Sequence, residues 1–558
     1  MRTMKPQIPI LCCALLAACG DSSAPGGVAG PNPPSDGDAP VCAAGGDPIE
    51  LHGSVAPADA KTYSVHPFRV VDGVGRIEMQ YGWTEHQPAL SSLPEVGGFV
   101  ATTLDLGLWD QHGYRDAQGF RGWSGSREGR IDKNQPPIFV QADAAERGYL
   151  PGRIEAGIWY ADLGVGAVSP LGADWTLKIA CKAAGGVTPA DDPVDATHVA
   201  NAAPGWYYGD MHMHAYHSNP NAPDWDEFVA RSRAAGLDFL MVTEYVTTQH
   251  WRTLGAVQRA NPDLVIWPGR EIITYYGHVM SQGETPHLAE YRHGFEDVDI
   301  GDIQKAIKAD GALFQVNHPT SFPPPLFSNF CRGCYFQLGD AIDWDQVDTM
   351  EILNGPVLTT ASDLGLPLSQ PTIENPFMTT AIQLWEKQLR AGHRITGVSG
   401  SDSKGVEASD AERQRAGWGS SATAVHAREL SRAALTEGLQ AGHVYVRTRG
   451  VARSPALEFT ATTADGQRGM FGDTLHVDAG EPVTLQTVVT GGQGQLLSYI
   501  ENGVPVRVVP VTSDPFTSTV SVTRQPATEG PLGTFWRVET RDLTSRTTLG
   551  NPVFLKAR

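Results

Sequence analysis

The sequence predicts a multidomain chain: a central α/β barrel over residues 205–450, flanked by β-sandwich domains at 42–183 and 451–558. Three observations predict it. Between Gly205 and Gly450 the pattern of helix, glycine and strand recurs, as expected where helices cover a parallel sheet. On either side, short runs alternate apolar and polar residues between Gly and Pro punctuation, the pattern of half-buried strands. Residues 184–204, with Pro189, Ala190, Asp191, Asp192 and Pro193, read as a linker between the first sandwich and the barrel. At 558 residues the chain is too long for one ordinary core.

Taken in order, residues 1–19 carry Arg2 and Lys5 followed by an apolar run from Ile8 to Ala18, too short to span a bilayer as a helix and suited to a secretion signal. Leu16-Ala17-Ala18-Cys19 resembles the lipobox of bacterial lipoproteins, which implies a lipid on Cys19, membrane association through it, and a place in the bacterial cell envelope, on the periplasmic or outer-membrane face. Residues 20–41, rich in Gly, Pro, Ser and Asp, suit a flexible tether. A formal charge of −20 argues against nucleic acid as a partner. It does not exclude an anionic substrate, because bound divalent cations invert the field within a site.

In the first sandwich, Arg76 to Tyr81 and Trp175 to Ala180 alternate as strands, and Cys42 and Cys181 bracket the domain as an expected disulfide pair. The aromatics of Gly122-Trp123-Ser124-Gly125 and Gly157-Ile158-Trp159-Tyr160 are read as packing in preference to a sugar platform, and no site is claimed in this domain. In the barrel, Asp224 caps a helix that Gly236 stops before the strand Phe239 to Val242. The same grammar recurs at Asp302 to Ala309, Gly311 and Leu313 to Val316, and at Thr379 to Ala391, Gly392 and Ile395 to Val398. After His318, Phe322-Pro323-Pro324-Pro325 and Cys331-Arg332-Gly333-Cys334 form an insertion expected near the mouth of the site, with the cysteines stapling a loop. Strands at Leu457, Val483 and Phe535 build the last sandwich, expected to support the barrel.

The candidate ligands fall at predicted strand ends. His212 and His214 stand two apart at the end of the first strand, Glu271 follows Leu264 to Trp267, His278 lies on the loop beyond it, His318 follows Val316 and Asp402 follows Val398. Strand C-terminal ends converge on one face of an α/β barrel, where imidazoles with carboxylates suit Zn, Mn or Fe, and a carboxylate can bridge two ions.

These residues resemble the PHP (polymerase and histidinol phosphatase) family of metal-dependent phosphoesterases, which implies a distorted (β/α)7 barrel. Gly209-Asp210-Met211-His212-Met213-His214 is similar to the opening Asp-x-His-x-His, and Gly236 through Thr243-Glu244-Tyr245 resembles the Thr-Asp-His segment. Arg270-Glu271 with Gly277-His278, Asn317-His318-Pro319, and Ser401-Asp402-Ser403-Lys404 resemble the later motifs. The flanking sandwiches and Gly442-His443-Val444-Tyr445-Val446 resemble the carbaryl-hydrolase-like branch. The resemblance implies one metal held by His212, His214 and Asp402, a second by His278 and His318, and Glu271 bridging them. Asp210, Glu244, Tyr245 and Lys404 complete the candidate catalytic set.

Asn219, Tyr245 and Lys404 replace residues that trinuclear members use for a third metal, which implies a binuclear site; His217 and His250 are the residues that could rebuild a third. Lys404 is expected to stand in for the lost charge, with Glu244 as its partner. A metal pair makes hydrolysis the default chemistry. A phosphoester is the expected substrate, a carboxyl or carbamate ester the runner-up, and a non-catalytic envelope protein that binds through its sandwiches the alternative from another class.

Overall fold

The computed structural model describes residues 36–87, 97–125, 136–283, 290–364, 372–527 and 529–558. The signal segment, Cys19 and the tether as far as residue 35 lie outside the described residues. The molecule is multidomain and mostly strand.

Two sheets face each other at the N-terminal end. One runs Val41–Cys42, Thr62–Val70, Gly157–Ala167, Thr103–Trp109, Phe120–Ser124, and the other Ile49–Val55, Ala173–Lys182, Arg76–Glu85, Ile138–Gln141. Alternate residues such as Phe68, Ile77, Leu106, Val140 and Leu177 turn inward into a shared core with Trp159. Each such side chain contributes about 1.5–3 kcal/mol by leaving water. Cys42 and Cys181 are bonded to each other across 139 residues.

The central strands are neighbours in the order Thr396–Gly400, Thr349–Asn354, Leu313–Val316, Gly277–Gln282, Val265–Thr274, Phe239–Tyr245, Gly205–Met213. The expected helix caps are present. Asp224 accepts from Glu227 N at the start of Trp225–Ala234, and Gly392, at φ 110°, closes Pro376–Ala391. The two ends of this row meet through a parallel bridge between Met213 and Ser403, with Asp402 N donating to His212 O and His214 N to Ser403 O.

Among the described residues the strict alternation of helix and strand breaks twice, once where only the 3-10 turn Trp344–Gln346 separates Leu313–Val316 from Thr349–Asn354 and once at a hairpin. Val265–Thr274 turns directly at Tyr275-Tyr276 into the antiparallel strand Gly277–Gln282, with Thr274 opposite Gly277. Glu271 therefore lies inside a strand, not after one, and His278 sits on the returning strand, not on a loop. The tight turn explains both differences, since a two-residue hairpin leaves no loop for either side chain.

Beyond Gly205–Met213 the same sheet continues through Ala422–Ala427 and Val444–Arg447 into the C-terminal strands Arg546–Gly550, Thr534–Arg541, Leu496–Glu501 and Val504–Pro510. A four-stranded sheet of Arg468–Met470, Ala456–Thr463, Pro482–Thr490 and Phe516–Thr523 packs over it through Phe459, Leu485, Tyr499 and Val538. The N-terminal sandwich docks on the central strands through mixed aromatic packing, with Tyr63 stacked on Tyr275 at 5.0 Å. Tyr275 also donates to Asp105 Oδ2 at 2.7 Å.

Candidate metal centre

Adjacent strands bring His212, His214, Glu271, His278, His318 and Asp402 together from segments nearly two hundred residues apart. Glu271, 1% exposed, organises them with its two oxygens. Oε2 lies 3.3 Å from His212 Nε2 and 3.2 Å from His214 Nε2. Oε1 lies 3.2 Å from His278 Nδ1 and 3.2 Å from His318 Nε2. Asp402 completes the first group, its Oδ1 3.1 Å from His214 Nε2 and 3.6 Å from His212 Nε2. His318 and Asp402 both hold positive φ, 27° and 52°, backbone strain that non-glycine residues adopt where a site demands it.

Each imidazole is held from behind by its other nitrogen. His212 Nδ1 pairs with Glu351 Oε1 at 2.9 Å and His214 Nδ1 with Ser218 Oγ at 3.1 Å. His278 Nε2 donates to Arg332 O at 2.9 Å and His318 Nδ1 to Cys334 O at 3.0 Å. A carbonyl only accepts, so the inward nitrogens of His278 and His318 present lone pairs when neutral. Inward lone pairs, outward N–H groups engaged and a shared carboxylate form the donor pattern of a metal site, so the residues present fit transition ions. In the bare cluster, burial would push His212 down, but Glu271, Glu351 and Asp402 outweigh it and raise its affinity for a proton. A bound cation would take that proton's place.

The other predicted site residues divide. Lys404 reaches the cavity, but its partner is Asp402, not the expected Glu244: Nζ lies 2.6 Å from Asp402 Oδ1. Burial lowers the lysine's proton affinity, and the charge of Asp402 more than restores it. Glu244 is occupied elsewhere, because it accepts from Ala215 N, His217 N and the Ser218 hydroxyl. Ser218 in turn holds His214, so Glu244 steadies a ligand through one intermediary. Tyr245 lies against the His214 ring, centroids 3.9 Å apart, and lines the cavity. Asp210 faces away from the cluster. Its Oδ1 accepts from His212 N and Ser401 N and its Oδ2 from Gly419 N, tying three segments of the chain together behind the site.

Among the described residues, the groups with metal-ligand spacing are His212, His214, Glu271 and Asp402, and His278, His318 and Cys334. His217 lines the cavity but joins neither group, and His250 is buried against Gly269 O at 2.9 Å.

Several residues at the site carry no local signal in the sequence. Glu351, fully buried, takes His212 on one oxygen and His318 N on the other at 2.7 Å. A lone carboxylate in the apolar run Met350 to Leu353 is the one hint it leaves. The N-terminal sandwich, for which no site was expected, supplies Asp105, Trp123 and Arg147 to a cavity of about 480 Å³ that also holds Glu271, Asp402, Lys404 and Arg332.

No protein-family model and no curated protein matches the chain. Among solved structures, it is similar to a two-domain protein containing predicted PHP-like metal-dependent phosphoesterase from Bacteroides vulgatus ATCC 8482, at 16% identity and a TM-score of 0.32 over 66% of this chain and 98% of that one. At those values the likeness assigns no activity to this chain.

Proposed function

We propose that the protein is a binuclear metal-dependent hydrolase acting on phosphoesters, built on a distorted (β/α)7 barrel and carried on the bacterial cell envelope by a lipid on Cys19. The observation that carries the catalytic reading is the division of Glu271. One oxygen faces His212 and His214 and the other faces His278 and His318, as a carboxylate shared by two ions requires. Divalent Zn, Mn or Fe would be held by His212, His214 and Asp402 on one side and His278 and His318 on the other. Bound there, a metal pair supplies hydroxide at neutral pH and polarises the substrate oxygen.

The chain's own residues bind and orient. Lys404 Nζ, beside Asp402 and 5.5 Å from the Tyr245 ring centre, brings N–H donors to negative charge that develops on the reacting group. Arg147, Arg332 and Lys404 line the same cavity as Asp105, Glu271 and Asp402, so three cations face three carboxylates in a chain of net charge −20. Two divalent ions added to that balanced wall would leave an excess of positive charge, which favours a phosphoester over a neutral carboxyl or carbamate ester. Glu351 and the Ser218–Glu244 pair hold the imidazoles so that ligand geometry is set before substrate arrives.

The test is reconstitution of metal-free protein with Zn, Mn or Fe, followed by metal analysis and a hydrolysis screen over phosphomonoesters, phosphodiesters, aryl carboxyl esters and aryl carbamates. Two ions per chain and phosphoester turnover are expected, both lost in Glu271→Ala. Absence of bound metal after all three reconstitutions would sink the reading, and turnover confined to carboxyl or carbamate esters would replace the substrate class.

A further inference from the structure

The His278 and His318 half of the site rests on one tight turn. Cys331 and Cys334 are bonded to each other, and the carbonyls of Arg332 and Cys334 are the acceptors that orient the two imidazoles. Gly333 is required between them. Its φ is 88°, and an added Cβ would lie 2.2 Å from Thr274 O and 2.9 Å from His278 Nε2. Both cysteines line the cavity, and Cys334 is 8% exposed. A ring nitrogen of His278, one of His318 and the sulfur of Cys334 lie within 4.8 Å of one another. A disulfide sulfur is a poor ligand, whereas a thiolate is a strong one for Zn and its neighbours.

The turn therefore has two covalent states with different donor sets. We propose that Cys334 is a redox-gated metal ligand: with the Cys331–Cys334 bond broken, its thiolate joins His278, His318 and Glu271 around one ion. The inference rests on the two-metal reading above. The step balances with a dithiol as reductant. The dithiol gives up two electrons and closes to its own disulfide, the Cys331–Cys334 bond breaks, and two protons pass to the two sulfurs. On metal binding, Cys334 releases its proton to solvent.

The consequence follows from coordination number. Two imidazoles and a shared carboxylate leave a position for water and substrate, whereas a fourth, thiolate ligand closes the set in the manner of structural zinc sites. The oxidised form is thus the hydrolytic one, and the reduced form holds its ion more tightly and turns over more slowly.

Cobalt(II) added to metal-free, full-length protein tests this directly. Cys331→Ser frees Cys334 without any reductant, so a cobalt–thiolate charge-transfer band is expected in Cys331→Ser and in dithiol-treated wild type after the dithiol is removed. The band should be missing from oxidised wild type and from Cys334→Ser, and zinc-loaded Cys331→Ser should hydrolyse an aryl phosphate at least about tenfold more slowly than oxidised wild type. Visible cobalt bands without the thiolate band in Cys331→Ser would overturn the assignment, as would a thiolate band that persists in Cys334→Ser. Cobalt binding to none of the forms would overturn both this inference and the two-metal reading. A thiolate band in protein that hydrolyses no ester would leave Cys334 as a ligand and remove the hydrolase.

Discussion

Lys404 Nζ sits 2.6 Å from Asp402 Oδ1, the oxygen that also faces His214 Nε2 at 3.1 Å. One carboxylate oxygen thus links the candidate metal cluster to a cation at the cavity wall. Lys404→Ala is expected to keep both metals, because the lysine supplies no ligand, and to lose about a hundredfold in kcat, the scale of removing one donor to developing negative charge. Metal analysis and steady-state kinetics on the same preparation check it. An unchanged kcat with metals intact would leave Lys404 a spectator.

Glu351 clamps both halves of the site from behind, with His212 on one oxygen and the His318 backbone on the other. Glu351→Gln keeps the shape but turns one acceptor into a donor that cannot serve both partners. Metal affinity should fall roughly 10–100-fold while Glu271 still presents its two oxygens. Competition against a chelator measures the loss, and unaltered affinity would show that the clamp is unimportant.

Gly400 lies where the seventh central strand passes the first. An added Cβ would fall 2.2 Å from His212 Cβ and 2.4 Å from Glu351 Oε1. Gly400→Ala should therefore displace His212, lowering metal content and the melting temperature together, since overpacking a closed site costs about 1–3 kcal/mol. Normal metal content in a stable Gly400→Ala protein would contradict the close approach.

Far from the site, Arg537 joins Glu386 of the helix Pro376–Ala391 to Glu539 of a C-terminal strand, at 2.7 and 2.8 Å. Burial pushes the Glu539 carboxyl up, but Arg537 and Arg546 outweigh it and hold it below the usual carboxylate value. A carboxyl held low in the folded state contributes stability above its unfolded value, about 4.3, and loses it as pH falls toward the folded value. Melting temperatures should drop from pH 5 downward and drop less steeply in Glu539→Gln. Arg537→Met, which takes the ion-pair partner from buried Glu386 and leaves Glu539 to Arg546, should cost about 3–5 kcal/mol at neutral pH. A pH profile identical in wild type and Glu539→Gln would remove Glu539 from the acid response.

The metal-suited side chains were legible in the sequence because each stands in a short motif with its own spacing. His212 and His214 are two apart on a strand, His318 lies between Asn317 and Pro319, and Asp402 precedes Ser403 and Lys404. The cap at Asp224 and the stops at Gly236 and Gly392 were legible for the same reason, since they act on neighbours within a few residues. The helices expected from Asp302 and Thr379 instead begin earlier, at Ile300 and Pro376. The hairpin at Tyr275-Tyr276 was not legible, because Pro268, Gly269, Arg270 and Glu271 read as the end of a strand at Trp267 until its pairing partner is known.

What the sequence by itself determined is the inventory of donors and the order in which strands deliver them, since both depend on local chain chemistry. The tertiary structure alone decided which partner each donor meets. Glu244 turned out to hold Ser218 and not Lys404, Glu351 reached both His212 and His318, and the N-terminal sandwich placed Asp105, Trp123 and Arg147 on the cavity wall. Such pairings join residues up to about 140 positions apart in strands whose own patterns report only burial. Contacts at that separation are set by how sheets stack and twist, and no local periodicity records them.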